Sequence, residues 1–97
     1  MFLIHVLGQM AQMNDILRFC REHGLELLED SCESLGAQFD GRHAGRFGTM
    51  SSFSFYFSHH ISSIEGGMVT TADRAIADDL RSLRAHGWVR DRSDRTR

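Results

Sequence analysis

The sequence has 97 residues, a formal net charge of −2 and 41% hydrophobic residues. This length allows one small domain, which buries about 60–65% of the surface that its unfolded chain exposes. The balanced composition argues against intrinsic disorder and against nucleic-acid binding driven by net charge. Proline and lysine are absent, so all eleven Lys+Arg residues are arginine. The chain therefore has no lysine side chain with which to bind a carbonyl compound covalently.

The cysteines and the N-terminus bear on the cellular setting. Cys20 and Cys32 form neither a disulfide framework nor a CxxC metal motif, so we expect a reduced, cytoplasmic protein. The apolar run of residues 2–7 lacks a preceding basic segment and is too short for a signal peptide or a membrane span. We therefore expect no membrane partner. A chain that opens on a strand of buried type is expected to be part of a longer protein.

The first thirty residues have the pattern of a βαβ unit. The apolar run Phe2–Leu7 predicts a strand covered on both faces, ended by Gly8. Residues 13–23 predict an amphipathic helix closed by Gly24 at C′, and Leu25–Leu28 predicts a second strand. We expect the two strands to be parallel, joined by a right-handed crossover. The helix pattern rests on Met13, Ile16, Leu17 and Cys20.

Shorter elements follow along the chain, separated by glycine-rich and serine-rich turns. Asp73 is the expected N-cap of the last helix, which Gly87 ends. The predicted order is a turn or short helix at 31–36, a loop or small hairpin at 41–48, a strand at 51–57, a loop at 58–64, a strand at 68–71, the last helix, and a charged tail at 89–97.

Asp30 is the first candidate functional residue, because it directly follows a predicted buried strand. Ligands of open α/β sheets gather at the carboxyl ends of strands. Glu33, three residues on, would make a carboxylate pair with Asp30 that can do acid–base work, but this spacing alone is weak evidence for such a pair. A helix cap or a solvated acid is the alternative interpretation of Asp30.

The loop after the serine-rich strand contains the other candidates, which are Ser54, Ser58, His59 and His60. Histidine beside serines suits a general base, because the imidazole pKa lies near neutrality. Two surface histidines and a zinc site are the alternatives, and no third ligand stands at a familiar spacing. Neither a GxSxG nucleophile motif nor a phosphate-binding glycine fingerprint is present.

Several linked motifs together resemble one family and span nearly the whole chain. They occupy 5–9 (HVLGQ), 29–37 (EDSCESLGA), 45–48 (GRFG), 53–56 (FSFY), 65–69 (EGGMV) and 83–87 (LRAHG). This combination resembles the DegT/DnrJ/EryC1/StrS sugar aminotransferases, which use pyridoxal phosphate (PLP). The resemblance implies an α/β fold: a segment of the aspartate-aminotransferase-like large domain, with a mixed, largely parallel sheet and flanking helices. That segment is residues 1–88, and residues 89–97 are the tail.

The resemblance also implies roles for individual residues. Asp30 occupies the position of the aspartate that pairs with the cofactor's pyridinium nitrogen, and Ser54 that of a serine that binds its phosphate. Ser58 is expected to support the phosphate, and Glu33 to lie near the ring. His59, five residues after Ser54, stands where the aminotransferases carry the lysine that binds the cofactor covalently. No metal is implied by these positions.

Histidine in place of that lysine is similar to the sugar-nucleotide 3-dehydratase branch of the family. The resemblance then implies C3 dehydration of a nucleotide-linked 4-keto sugar, with His59 as the base. It also implies that the cofactor is pyridoxamine phosphate (PMP) or PLP held non-covalently. An amino donor such as glutamate would regenerate PMP, and the full-length protein is expected to be a homodimer. The alternatives are an aminotransferase homologue that is degenerate in this chain and a non-catalytic binding module.

Overall fold

The computed structural model describes residues 1–95. Within these residues the regular secondary structure consists of two α-helices, six short strands and one 3₁₀ turn. In chain order they are β1 (Phe2–Ile4), a 3₁₀ turn (Val6–Gly8), α1 (Met13–Glu22), β2 (Leu28–Asp30), β3 (Gln38–Phe39), β4 (Arg42–His43), β5 (Met50–Ser54), β6 (Gly67–Thr70) and α2 (Arg74–Arg84).

The main sheet has the strand order β1-β2-β5-β6. β1 and β2 are parallel, as the predicted βαβ unit requires, and β5 is parallel to β2. β6 returns antiparallel to β5, which makes the sheet mixed. The glycine-rich stretch forms a small separate hairpin of β3 and β4, one of its two predicted forms.

One face of the main sheet packs against α1. Met13 and Cys20 of the helix are buried together with Leu27, which precedes β2. Gly24 has a φ of 61° and takes the predicted C′ position after α1. Partly buried side chains surround this core: Leu3, Met10, Ala11, Ile16, Leu17, Phe39 and Phe47.

β1 differs from the strand expected over residues 2–7. It ends at Ile4, and the following residues form the 3₁₀ turn, in which Leu7 has a left-handed φ of 53°. Only one face of the strand is covered, because Phe2 and Ile4, on the face opposite α1, are 61% and 54% exposed. The apolar run therefore includes a turn as well as a strand.

Two other strands are shorter than predicted, one because of a local bond at the end of a helix and one because of its partner strand. The Leu25 N–H donates to the Cys20 carbonyl at 2.9 Å and so completes the end of α1, which leaves β2 to begin at Leu28. β5 ends at Ser54, because its partner Gly67 is the first residue of β6. The predicted strand at 51–57 therefore includes the start of the following loop.

The C-terminal helix begins as predicted. The Asp73 carboxylate accepts hydrogen bonds from the N–H groups of Ala75 and Ile76, the usual arrangement of an N-cap. Later in the helix, the buried Asp78 carboxylate accepts a 2.9 Å hydrogen bond from the backbone N–H of Ser93. This bond attaches the described part of the charged tail to α2. Neither helix within residues 1–95 is long and apolar enough to cross a membrane.

Candidate active site

The candidate site lies where β2 and β5 end side by side. Asp30 is paired in register with Ser52, so the two side chains lie on the same face of the sheet. Ser54 lies two residues further along β5 and therefore shares that face. The parallel direction of the strands thus brings two predicted cofactor-binding residues, Asp30 and Ser54, to one edge.

Asp30 is held as a partly buried anion. Its Oδ1 accepts a 3.0 Å hydrogen bond from the backbone N–H of Cys32. Burial opposes the charged form, but hydrogen bonds from Cys32 and Ser52 and the nearby His5 outweigh it, and the pKa of Asp30 falls below its usual value. Asp30 is therefore ionised at neutral pH, as pairing with a protonated ring nitrogen requires.

Cys32 is a neighbour of this carboxylate to which the sequence assigned no role. Burial raises the pKa of its thiol, and the nearby Asp30 and Glu33 carboxylates add to the effect. Its sulfur lies 3.9 Å from the Ser52 hydroxyl oxygen. Cys32 is therefore a neutral thiol that lines the Asp30 side of the strand ends.

The loop that carries His59 begins directly after Ser54. The Ser54 hydroxyl oxygen accepts a 3.2 Å hydrogen bond from the Tyr56 N–H, and the Tyr56 carbonyl accepts a 3.0 Å bond from the His59 N–H. His59 is half-buried, whereas Ser58 and His60 are exposed. The His59 imidazole makes no hydrogen bond to another side chain within residues 1–95.

Glu33 has a contact that the sequence did not predict. Its Oε2 accepts a 2.7 Å hydrogen bond from the backbone N–H of Leu7. Leu7 is in the left-handed region, which is unfavourable for a residue with a branched side chain, so this bond helps to hold the turn after β1. Glu33 therefore orders the loop beside Asp30.

Two buried polar residues beside the site were missed by the sequence analysis. His5 directly follows β1 and Glu29 precedes Asp30, and both side chains are fully buried on the face opposite the Asp30 carboxylate. The available signal was a histidine within an apolar run and a charged residue inside a short strand, since fully buried charges occur only with partners.

A metal ion and PLP require different sets of side chains. Among residues 1–95, no three His, Cys, Asp or Glu side chains cluster closely enough to hold a metal ion. An ionised carboxylate and a serine hydroxyl at one sheet edge do fit PLP, because they suit a protonated ring nitrogen and a phosphate, respectively. Within residues 1–95, Asp30 and Ser54 therefore have side chains of the chemistry that such a cofactor needs.

Comparison with curated proteins gives relatives of two activities. The chain is 42% identical over 87 residues to GDP-4-keto-6-deoxy-D-mannose 3-dehydratase of Escherichia coli O55:H7, which covers 90% of this chain and 22% of the relative. It is 39% identical over 84 residues to GDP-perosamine synthase of Caulobacter vibrioides, covering 87% and 23%. The chain thus spans about a fifth of the length of these relatives.

The solved structures agree with the sequence comparison. A GDP-4-keto-6-deoxymannose-3-dehydratase with a trapped PLP-glutamate geminal diamine is 41% identical and has a TM-score of 0.86. The match covers 92% of this chain and 23% of that one. The prediction of a segment of a PLP-dependent aminotransferase fold is therefore confirmed. The model of the DegT/DnrJ/EryC1/StrS aminotransferase family matches residues 1–97, and the chain belongs to this family.

Proposed function

We propose that this chain supplies the cofactor-binding strand ends of an enzyme that removes the C3 hydroxyl group of a nucleotide-linked 4-keto sugar. The observation that carries the proposal is His59, which follows Ser54 by five residues in a chain without lysine. Residues 1–88 form part of the large domain of that enzyme, with 89–97 as its tail. The proposed setting is the cytoplasm.

Bound PMP or PLP would supply a ring that withdraws electrons from the reacting sugar. Asp30 keeps the ring nitrogen protonated, because its own pKa is lowered and it stays ionised. Ser54 and Ser58 hold the phosphate through their hydroxyl groups. Glu33 keeps the loop at the end of β1 in place beside the ring.

His59 is the proposed base. An imidazole near neutrality can accept a proton and return it, and unlike a lysine amine it does not hold the cofactor covalently. A half-buried imidazole with no side-chain hydrogen-bond partner among residues 1–95 is free to take a proton during loss of the hydroxyl group. Glutamate is the proposed amino donor that regenerates PMP, and the full assembly is proposed to be a homodimer.

The test is His59→Lys, with the adjacent His60→Lys as its matched control. The measurements use the protein at the length at which it is naturally produced. We expect His59→Lys to gain the absorbance of a covalently bound cofactor, fixed by borohydride, and to lose dehydration. His60→Lys should do neither.

Three results would contradict the proposal. Dehydration by His59→Lys at the parental rate would exclude His59 as the base. A borohydride-fixed cofactor in the unmodified protein would indicate an aminotransferase that obtains its lysine from elsewhere. Failure to bind PLP and PMP would indicate a non-catalytic module.

A further inference from the structure

Glu29 has the most complete set of partners of any buried side chain near the site. It is 1% exposed and accepts four hydrogen bonds. Its Oε1 accepts from the N–H groups of Phe47 at 2.7 Å and Gly48 at 2.6 Å. Its Oε2 accepts from the Gly45 N–H at 3.0 Å and lies 3.0 Å from His5 Nε2. One carboxylate thus joins β2 to the glycine loop 45–48 and to the end of β1.

His5 carries this connection to Asp30. A carboxylate only accepts hydrogen bonds, so His5 Nε2 holds the proton in its contact with Glu29. The backbone N–H of His5 donates to the Asp30 carbonyl at 3.0 Å. His5 therefore binds the Glu29 side chain and the Asp30 main chain at the same time.

The other side of the Asp30 main chain is fixed by β5. The Ser31 N–H, directly after Asp30, donates to the Ser52 carbonyl at 2.9 Å. The strand end at Asp30 is thus held on both sides by main-chain hydrogen bonds. The Glu29 side chain contacts His5, which makes one of these bonds, and Glu29 is itself held by the N–H groups of the glycine loop.

We propose that Glu29 is a positioning residue for the cofactor, which acts through His5 and the strand backbone to set the Asp30 carboxylate against the ring nitrogen. This inference rests on the proposed function, since it needs a cofactor at Asp30. Glu29 itself touches no cofactor, because its side chain lies on the opposite face of β2.

The experiment is Glu29→Gln, which keeps the shape of the side chain but replaces one accepting oxygen with a donating amide. The amide then meets the N–H group of Gly45 or the Nε2 proton of His5. We expect the Kd for PMP, followed by its fluorescence, to rise at least roughly tenfold, because small displacements of a positioning group are costly. The absorbance of bound PLP should shift in the same direction as in Asp30→Asn.

The matched control is Asp78→Asn. Asp78 is also buried, at 2% exposure, and also accepts from a backbone N–H, but it lies in α2. A merely structural role for Glu29 predicts that both variants lower the melting temperature and leave the Kd and the absorbance unchanged. That outcome would overturn the proposal.

His5→Leu keeps the test decisive if Glu29→Gln does not fold. It removes one of the four bonds to Glu29 and keeps the three from the loop, so we expect a rise in Kd of about two- to fivefold. An unchanged Kd in folded His5→Leu would overturn the positioning role. Asp30→Asn separates the two proposals, because unchanged PMP binding in that variant contradicts the cofactor site itself.

Discussion

Glu29 and Asp30 are adjacent carboxylates with opposite surroundings. Glu29 is enclosed on the α1 side of the sheet, and four donors occupy its two oxygens. Asp30 lies on the uncovered side, where it accepts one backbone hydrogen bond from Cys32 and is partly exposed. Donors of the chain itself occupy the Glu29 carboxylate, whereas the Asp30 carboxylate can still accept hydrogen bonds from a ligand.

Two adjacent residues of one strand can therefore take different roles, one structural and one in binding. Successive residues of a strand point to opposite faces, so one step along β2 moves a carboxylate from the core to the site. The buried carboxylate is tolerated because every lone-pair direction that matters has a donor. The buried and fully hydrogen-bonded Glu29 thus holds the strand, while the neighbouring Asp30 stays partly exposed and can accept further hydrogen bonds.

Glu29→Leu is the substitution that we expect to lower the free energy of unfolding most. It leaves three backbone N–H groups and His5 without their acceptor, so we expect a loss of about 3–5 kcal/mol in the free energy of unfolding. Urea denaturation of the protein at its natural length measures this loss. Asp30→Asn, which keeps an oxygen for the Cys32 N–H, should cost less than about 1 kcal/mol. Equal losses in the two variants would contradict the division of roles.

Gly48→Ala tests the Glu29 side from the glycine loop. A Cβ at Gly48 would lie 2.4 Å from the Leu27 carbonyl oxygen, a backbone atom that cannot rotate away. We expect the loop to shift and the free energy of unfolding to fall by about 1–3 kcal/mol. Cofactor affinity should also fall, because a shifted loop no longer donates its N–H groups to Glu29 in the same way.

Gly41→Ala is the control for this prediction. A Cβ at Gly41 meets nothing within 4 Å, although its φ of 75° makes any side chain unfavourable there. We expect a loss of about 1 kcal/mol from backbone strain and unchanged cofactor affinity. A larger effect at Gly41 than at Gly48 would show that backbone conformation, and not the contact with Leu27, decides stability in this loop.

Asp78 is another buried carboxylate, and it holds the described part of the C-terminal tail. Hydrogen bonds from the Ser93 hydroxyl and N–H, together with Arg81, lower the pKa of Asp78 from 3.8 to about 2. A lowered pKa in the folded state means that the carboxylate stabilises the fold above pH 3.8. This contribution is lost as the pH falls from there through about 2.

We therefore expect Asp78→Asn to release the tail at neutral pH and to remove this acid transition. Limited trypsin digestion at Arg90 and Arg92 measures the release at neutral pH, and the fluorescence of Trp88, which needs no protease activity, follows the acid transition below pH 3.8. Arg81→Gln should have a smaller effect, since Ser93 contributes more to the lowered pKa than Arg81 does. Cleavage rates equal to those of the unmodified protein would contradict a role of Asp78 in holding the tail.

Local patterns predicted the helices and the βαβ unit well, because their signals lie within a few residues. The spacing of Met13 and Cys20, and the cap at Asp73, needed no distant partner. Strand ends were predicted less well. Leu7 takes a left-handed conformation that is supported by Glu33, and β5 ends where its pairing with Gly67 ends, so both boundaries depend on residues far along the chain.

The candidate site was predicted in the same uneven way. The sequence motifs predicted Asp30, Ser54 and His59 as site residues, and the fold places the first two on one face at adjacent strand ends. Glu29 and His5 escaped notice because their partners lie 19 and 24 residues away. Only a folded chain brings those donors to the carboxylate.

The family, the absence of lysine and the candidate cofactor-binding residues are evident from the amino-acid sequence alone. These follow from side-chain chemistry and spacing, which are fixed when the chain is made. The tertiary structure decided which carboxylate is enclosed and which stays available, because that depends on the face of β2 that α1 and the glycine loop cover. Pairing and burial are long-range outcomes, and adjacent acids in a sequence carry no local sign of them.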